Sequence, residues 1–213
     1  MKLEKIGFDG LEFYIRPETS DIKAIEEVVG GNAYRRKGFE IEDSGLWLDL
    51  GANIGAFAIL AASKGCRVVA VEADPVNAEL TRKNVALNGL RDRIKVVERA
   101  VMPSDSGFIE MHVNSARGNY WRNSVFKKWK GGETIPVKTI AIDSLIEPGM
   151  ACKMDIEGAE MPILEAMDSR WFDRIVFEWS FDIDRSIPRF NSVVEKLDQL
   201  YSKVWFGGFD QSQ

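Results

Sequence analysis

The segment from Leu46 to Gly55 constrains the fold more than any other part of the sequence. It reads Leu-Trp-Leu-Asp-Leu-Gly-Ala-Asn-Ile-Gly, an apolar run that ends in an acid and a glycine turn, and a helix-like stretch from Ala56 to Ser63 follows it. Glycine lets a backbone turn sharply and come close to a ligand. The pattern predicts a strand that leads through a cofactor-binding turn into a helix, with Asp49 placed to accept from a cationic group.

A second acid lies at the spacing expected of a nucleoside-binding fold. Residues 67–72, Arg-Val-Val-Ala-Val-Glu, form another short apolar run, and Glu72 lies 21 positions after Gly51. An acid about 20 residues after such a turn binds the ribose hydroxyls. Asp74 and Pro75 then begin a helix, because proline is tolerated at the first helical position.

The glycine spacing distinguishes two classes of cofactor. Gly51 and Gly55 have three residues between them, with Asn53 in the middle, whereas a dinucleotide site uses the pattern Gly-x-Gly-x-x-Gly to hold a pyrophosphate. S-adenosylmethionine has no phosphate and offers an amino group, a carboxylate, a ribose and an adenine. We therefore expect S-adenosylmethionine rather than NAD, with a strand-turn-helix that binds no ligand as the alternative.

Length and composition limit the class of protein further. The chain has 213 residues, of which 45% are hydrophobic, enough for one domain with a substantial core. Its 28 Lys and Arg against 33 Asp and Glu give a net charge of −5, which provides no general field for a polyanion. No run approaches the ~18 apolar residues of a membrane span, and no signal peptide is evident, so we expect a cytoplasmic protein. Cys66 and Cys152 lack metal-type spacing and are expected in the core.

From Leu46 onward, strand-like and helix-like runs alternate, which is typical of parallel strands joined by crossover helices. Before them, a hairpin around Asp9-Gly10 and a helix over 22–29 form an amino-terminal segment, residues 1–45. We expect this segment to pack on the main domain, residues 46–213. Strands are predicted at 46–50, 67–72, 94–101, 151–156, 174–180 and 201–206, and helices at 54–63, 75–88, 159–167 and 188–200, with a short helix within 139–146.

The alternation fails between about 104 and 139. There, 107–113 and 133–138 predict an inserted antiparallel pair of strands. The loop between them carries aromatic and basic side chains over 119–130, which suit a sugar or an anionic acceptor. A solvated loop and a surface for single-stranded nucleic acid are the alternatives. The basic segment 34–37 is a second candidate for the same rim.

Three segments together resemble the FkbM-type methyltransferases. They are 47–57 (Trp-Leu-Asp-Leu-Gly-Ala-Asn-Ile-Gly-Ala-Phe), 71–75 (Val-Glu-Ala-Asp-Pro) and 153–160 (Lys-Met-Asp-Ile-Glu-Gly-Ala-Glu). The first two are shared widely among class I methyltransferases, and the third is particular to FkbM-like chains. The resemblance implies an α/β, Rossmann-like class I methyltransferase fold with a mostly parallel sheet flanked by helices. It also implies methyl transfer from S-adenosylmethionine to a hydroxyl of a sugar or natural product.

The resemblance further implies which residues bind the cofactor. Glu72 would hold the ribose, and the adenine would lie near Arg99 and Ala100. The residues around the methionine part would be Asp49, Gly51, Asn53 and Gly55.

The candidate catalytic residues follow the predicted strand 151–156. In an open α/β sheet the ligand lies beyond the carboxyl ends of the strands, which places Asp155 and Glu157 at the crevice. Either carboxylate could act as general base, or the pair could hold a divalent cation that lowers the pKa of the acceptor hydroxyl. Lys153 shares a strand face with Asp155 and would keep it ionised. Glu178, near the end of the next strand, is a third candidate acid, with burial beside a partner as the alternative because it shares a strand face with Val176 and Ser180.

Two alternatives concern single residues. Glu157 and its neighbours could merely supply negative charge to the amino terminus of the following helix. His112, the only histidine, lies inside the first inserted strand, where a structural role is commoner than a role as base.

The expected function is therefore S-adenosylmethionine-dependent methyl transfer to a small-molecule or carbohydrate hydroxyl. The acidic net charge makes nucleic acid an unlikely partner. The alternatives are a nucleic-acid methyltransferase that uses the loop over 120–130, transfer to nitrogen, and a cofactor-binding module without catalysis.

Overall fold

The computed structural model describes residues 2–31, 40–41, 44–114 and 122–202. Strands and helices alternate from Leu46 to Glu98 and again from Met150 to Leu200, as predicted. In chain order the strands are Glu4–Phe8 (β1), Leu11–Ile15 (β2), Leu46–Leu50 (β3), Arg67–Glu72 (β4), Ile94–Glu98 (β5), Ala100–Met102 (β6), Phe108–Val113 (β7), Glu133–Ala141 (β8), Met150–Met154 (β9) and Arg174–Phe177 (β10). The helices are Asp21–Ile25 (α1), Ala56–Ser63 (α2), Pro75–Leu87 (α3), Glu160–Ala166 (α4) and Ile187–Leu200 (α5).

Five of the strands form a parallel sheet in the order β10-β9-β3-β4-β5. The sheet begins in its middle at β3, adds β4 and β5 on one side, and is completed by β9 and β10 on the other. A crevice forms at the carboxyl ends of β3 and β9, because the connections leave these two strands in opposite directions. The predicted parallel α/β architecture is confirmed, and this crevice is where a ligand is expected.

Each face of the sheet has its own hydrophobic core. Successive residues of a strand point to opposite faces, so Trp47 packs with α2 and the amino-terminal hairpin, while Leu48 packs with α4 and α5. Apolar runs without alternation are typical of strands that are covered on both faces. Cys66 and Cys152 are fully buried, one in each core, and both have free thiols, as expected.

The amino-terminal hairpin turns at Asp9 and Gly10, which both have positive φ (49° and 80°). The backbone N–H of Tyr14 donates to Oδ1 of Asn84 in α3 (2.6 Å), and the Asn84 amide donates to the carbonyl of Ile54 (2.9 Å). The hairpin is therefore attached to α3 and, through Asn84, to the turn after β3.

The helix predicted over 22–29 consists of α1 and a π-helical turn over Glu26–Gly30. A buried ion pair lies at its start, where the Arg16 guanidinium donates to both carboxylate oxygens of Asp21 (2.9 and 2.7 Å). π-helical turns are rare and are found mainly near functional sites. This one brings the Glu27 side chain towards the charge of Asp155, which contributes to a raised pKa of Glu27 after the larger effect of burial.

The insertion forms a second sheet in the order β6-β8-β7, with β7 and β8 antiparallel as predicted. The single strand predicted over 94–101 is wrong. The pairing of β5 with β4 ends where the Arg99 N–H donates to the carbonyl of Glu72 (3.0 Å), and from Ala100 the chain pairs with β8 instead. The short helix expected within 139–146 is a 3₁₀ turn over Ile142–Leu145, since β8 continues to Ala141 by pairing with β6.

Two expectations concern the carboxyl-terminal part. β10 ends at Phe177 instead of residue 180, because the backbone N–H of Phe181 turns back to the carbonyl of Trp179 (2.9 Å). Of the strand predicted over 201–206, the first two residues are not in a strand and the other four lie outside the described residues.

Within the described ranges, no helix combines the length and the apolar character that a bilayer crossing requires.

Candidate functional site

The two glycines of the turn after β3 are both fixed by close protein neighbours. Gly51 has φ +78°, and a Cβ added there would lie 1.8 Å from the carbonyl oxygen of Asp155. Gly55 has φ +89°, and a Cβ there would lie 2.9 Å from Cγ2 of Thr81 in α3. Only glycine combines these conformations with this packing. The turn therefore fits tightly between the loop after β9 and α3.

Asn53 lies at the centre of this turn with φ +53°, which is unusual for a residue other than glycine. Its backbone N–H donates to Oε2 of Glu72 (2.7 Å), and its carbonyl accepts from the Thr81 hydroxyl (2.5 Å). The Oδ1 atom of Asn53 is buried and has no hydrogen-bond partner within the described part of the chain. A buried acceptor without a partner is costly, so this atom is a natural contact for a bound donor.

Glu72 ends β4, and both of its carboxylate oxygens accept from backbone. Oε2 accepts from Asn53, and Oε1 accepts from the N–H of Asp74 (2.8 Å). Burial raises the pKa of Glu72 to about 7, and the two N–H donors oppose this rise. Each carboxylate oxygen keeps a second lone pair, so Glu72 can still accept from the hydroxyls of a ribose.

Asp49 and Lys153 form a buried ion pair beneath the glycine turn. Asp49 is fully buried, and its Oδ1 lies 3.2 Å from Nζ of Lys153. The ammonium also donates to the carbonyls of Gly51 (2.8 Å) and Leu50 (3.3 Å). Burial lowers the pKa of Lys153, but the negative charge of Asp49 and Asp155 outweighs this and raises it. Lys153 therefore connects the ends of β3 and β9 as a cation.

The loop after β9 carries the two acids predicted for catalysis. The backbone N–H of Asp155 donates to the carbonyl of Leu50 (3.0 Å). Glu157 is half-buried and has φ +51°. Burial and then the charge of Asp155 raise the pKa of Glu157 to about 8, and the nearby Arg122 guanidinium (3.8 Å) opposes this. The structure thus brings Asp155 and Glu157 to the predicted crevice.

Glu160 organises this loop, a role that the sequence did not reveal. It is fully buried, and its carboxylate accepts from the N–H groups of Ile156 (2.8 Å) and Gly158 (2.7 Å). Burial raises the pKa of Glu160 to about 7. The sequence pattern that could have revealed this role is the spacing of Gly158 and Glu160. An acid two residues after a glycine can accept from backbone N–H groups of the preceding loop.

The inserted segment crosses the crevice from the cofactor side to the acceptor side. The Asn123 amide donates to Oδ2 of Asp74 (2.6 Å), and the Ser124 hydroxyl donates to the carbonyl of Glu157 (2.6 Å). These two contacts place residues 122–124 over the space between α3 and the loop after β9. Residues 34–37 and 119–121, which the sequence also suggests for the rim, lie outside the described residues.

Two cations of the insertion share one carboxylate. Arg122 and Lys127 both form ion pairs with the carboxylate of Asp182, at 2.6 Å for Lys127. Both also lie over the ring of Trp129, at 5.1 and 4.4 Å from its centroid. The single charge of Asp182 therefore compensates these two cations only in part, and Glu157 also lies 3.8 Å from Arg122.

The remaining predicted residues lie around the crevice or away from it. Glu178 follows β10 with its side chain exposed, and loss of hydration by its carboxyl group and then the charge of Asp155 raise its pKa to about 7. His112 lies in β7, where its Nδ1 is 3.0 Å from the Thr134 hydroxyl, which favours the structural role. Ala100 is buried at the start of β6 and packs with a small third core. Among the described residues, no three acids, histidines or cysteines are arranged to hold a metal, so the divalent cation finds no support.

Comparison with solved structures gives partial matches. A precorrin-6y C5,15-methyltransferase from Geobacter metallireducens GS-15 is 16% identical with a TM-score of 0.46, over 87% of this chain and 73% of that chain. A tRNA (uracil-54, C5)-methyltransferase from Pyrococcus abyssi, in complex with S-adenosyl-L-homocysteine, is 12% identical with a TM-score of 0.40. The match covers 78% of this chain and 31% of that chain.

Comparison of sequences gives one short match and one long one. A tRNA (guanine(37)-N(1))-methyltransferase from Theileria parva is 38% identical over 58 residues, which are 27% of this chain and only 12% of that protein. Residues 49–203 match the family described as "Methyltransferase FkbM domain". This match covers most of the chain and contains the glycine turn, Glu72 and the loop after β9. The chain therefore belongs to the FkbM methyltransferase family.

Proposed function

We propose that this protein transfers the methyl group of S-adenosylmethionine to a hydroxyl of a sugar or small natural product. The observation that carries the proposal is the position of Glu157. Glu157 is half-buried in the loop after β9, the loop whose Asp155 carbonyl packs against Gly51, and its carboxyl group has a pKa raised to about 8. A base whose pKa lies near the working pH is suited to removing a hydroxyl proton.

The residues of the cofactor side fit S-adenosylmethionine. Glu72 keeps free lone pairs for the ribose hydroxyls, and the buried Oδ1 of Asn53 can accept from the amino group of the methionine part. The cofactor supplies a methyl group on a sulfonium, which is open to in-line attack. Gly51 and Gly55 shape the turn, and Asp49 holds it through Lys153. Ala100, at the start of β6, would border the adenine.

The charges of the acceptor side favour a neutral acceptor. Asp155, Glu157 and Glu178 influence one another electrostatically, since the charge of Asp155 raises the pKa of both glutamates. A phosphate group would be repelled by the charge of Asp155 and by that of the two glutamates once they are ionised. The nearest cations of the insertion, Arg122 and Lys127, are already paired with Asp182. Asp155 and Glu157 are thus proposed to orient the hydroxyl and accept its proton, and Lys153 to hold the loop that carries them.

Nucleic acid is the second candidate acceptor. The short match to a tRNA methyltransferase supports it, and Lys128 and Lys130 are exposed on the inserted segment. A nucleic-acid substrate predicts binding that weakens steeply with salt, because phosphate contacts release counterions. A neutral hydroxyl acceptor predicts little dependence on salt.

The test begins with calorimetric titration of S-adenosylhomocysteine into the wild type, with NAD as control. Methyl transfer from labelled S-adenosylmethionine is then measured on a panel of sugars, small natural products and bulk tRNA. We expect transfer to a hydroxyl compound, lost in Glu157→Gln with S-adenosylhomocysteine binding retained. Glu165→Gln, an exposed acid of α4 paired with Arg189, is the matched control. Transfer to tRNA alone would replace the hydroxyl proposal, and binding without any transfer would favour a non-catalytic module.

A further inference from the structure

Glu160 holds the loop that carries the acceptor-side acids in a particular shape. Its two carboxylate oxygens accept from the N–H of Ile156 and of Gly158, the residues on either side of Glu157. These donors precede α4, so the carboxylate closes the loop back on itself. A carboxylate that only placed negative charge at the amino terminus of α4 would not need to accept from both of these N–H groups.

The loop needs such a restraint because its backbone is strained. Glu157 has φ +51° and Gly158 has φ +105°, so two consecutive residues lie in the left-handed region. A residue with a side chain loses about 1–2 kcal/mol there. A Cβ added to Gly158 would lie 2.8 Å from Cγ2 of Ile183, so the loop is also confined from outside. Such a conformation persists only where its surroundings enforce it.

The direction of the Glu157 side chain follows from this conformation. In a residue with left-handed φ, the Cα–Cβ bond points in a different direction from the one that it would have if the strand continued. Asp155, Glu178 and Glu160 surround the Glu157 carboxyl with negative charge, and Arg122 is the cation that faces it. In this setting a small rotation of Glu157 would change both its solvent access and its distance from these charges.

We infer that Glu160 is a positioning residue that sets the direction of the Glu157 carboxylate in the acceptor site. The inference rests on the proposed role of Glu157, but it concerns the geometry of the loop and can be tested without knowing the acceptor. Glu160 itself touches neither the cofactor side nor the crevice, because it is fully buried under the loop.

The experiment is a carboxyl ¹³C NMR titration of the full chain in complex with S-adenosylhomocysteine. The Glu157 signal is assigned by its loss in Glu157→Gln. The titration is repeated in Glu160→Gln, which keeps the shape but has one oxygen acceptor, and in Glu160→Asp, which keeps the charge but is too short to reach both N–H groups. Glu165→Gln, on the outer face of the same helix, is the control.

We expect the Glu157 midpoint, about 8 in the wild type, to fall by roughly one pH unit in both Glu160 variants, a tenfold change in proton affinity. Affinity for S-adenosylhomocysteine should stay within about twofold, since the cofactor side is untouched. Where the panel yields an acceptor, kcat should fall in both variants while the KM for S-adenosylmethionine is retained.

Other outcomes would overturn the inference. A shift in Glu160→Gln without one in Glu160→Asp would mean that Glu160 acts through its charge alone. No shift in either variant would mean that the loop keeps its shape without this carboxylate. Loss of S-adenosylhomocysteine binding in both variants would mean that Glu160 supports the fold as a whole and not the Glu157 side chain in particular. Retained methyl transfer in Glu157→Gln would refute the base role of Glu157 and leave the geometric result intact.

Discussion

The cofactor side of the crevice and the rim of its acceptor side are held together by different kinds of contact. On the cofactor side, Glu72 accepts from two backbone N–H groups, and Gly51 and Gly55 pack against neighbouring atoms without space for a side chain. At the acceptor rim, exposed or half-buried side chains meet across the chain, as in the ion pairs that Asp182 forms with Arg122 and Lys127. Exposed ion pairs contribute little to stability. The cofactor side is thus pre-organised by backbone, as is the loop that Glu160 holds, whereas the rim can change with few substitutions.

The largest expected effect comes from adding one methyl group where the two sides touch. In Gly51→Ala the new Cβ would meet the carbonyl of Asp155, and the residue would keep a positive φ. We expect a loss of more than about 3 kcal/mol in the free energy of unfolding. Gly149→Ala is the control, because its φ is +79° but no atom lies within 4 Å of the added Cβ. It should lose only about 1 kcal/mol. Urea unfolding measures both, and equal losses would show that the contact between the two loops is unimportant.

Next in size is the removal of the acid that organises the cofactor side. Glu72→Ala leaves the N–H groups of Asn53 and Asp74 without their acceptor, at a cost of about 1–3 kcal/mol each. Affinity for S-adenosylhomocysteine should fall by roughly 100-fold or more, because the ribose contact is lost as well. Calorimetric titration measures it. Glu79→Ala, an exposed acid of α3 paired with Arg82, is the control and should retain affinity; an equal loss there would remove the special role of Glu72.

A smaller effect concerns the pH dependence of stability. The pKa of buried Glu160 is raised to about 7 in the folded protein, above its value of about 4.3 in an unfolded chain. Between these values the folded state binds more protons, so this group makes the protein less stable as pH rises through that window. Glu160→Gln removes the titration. The variant should therefore lose less stability than the wild type between about pH 5 and about pH 8, as measured by urea unfolding at each pH. A wild-type slope in the variant would contradict a raised pKa at Glu160.

The smallest expected effect on stability comes from the acceptor rim. Asp182→Asn removes the shared partner of Arg122 and Lys127 and should cost less than about 1 kcal/mol. Because it frees two cations, binding of a polyanion such as bulk tRNA should strengthen at low salt and weaken again as salt is added. Affinity for S-adenosylhomocysteine should not change.

Asp173→Asn is the matched control for this rim variant. Asp173 is also an exposed acid paired with an arginine, Arg170, but it lies at the amino end of β10, away from the crevice. Filter binding of tRNA compares the two variants. A similar gain in tRNA affinity in both variants would reflect net charge alone and would mean that the rim is not a binding surface for tRNA.

The sequence predicted the central sheet well because each strand is an apolar run on its own. It failed after Glu98, because the extended chain changes partner there: Glu98 still pairs with Glu72 of β4, whereas Ala100 pairs with Thr139 of β8. The new partner lies far along the chain, and no local pattern encodes such a change. The family was also predictable, since the segment over 153–160 is distinctive by itself, and the match over residues 49–203 confirms it.

The candidate site was predicted less completely than the fold. Asp155, Glu157 and Glu72 lie at strand ends as expected, because strand boundaries can be read from hydrophobicity. The partners of Lys153 could not be read, since they depend on the register of β9 against β3, which places Lys153 opposite Asp49. The same holds for Glu160, whose acceptor role depends on the shape of the loop.

The pairing of Asp49 with Lys153 also has a consequence for the order of folding. The two residues are separated by more than a hundred positions, and β9 joins the sheet only after the whole insertion has been spanned. Until then Asp49 has no buried cation beside it and must remain in contact with water, because an unpaired charge is costly to bury. We expect docking of β9 to be slow, since its contacts are distant in the chain. We therefore expect β3 to β5 to form a stable sheet only after β9 has paired with β3. The centre of the domain would then be among the last parts to lose contact with water.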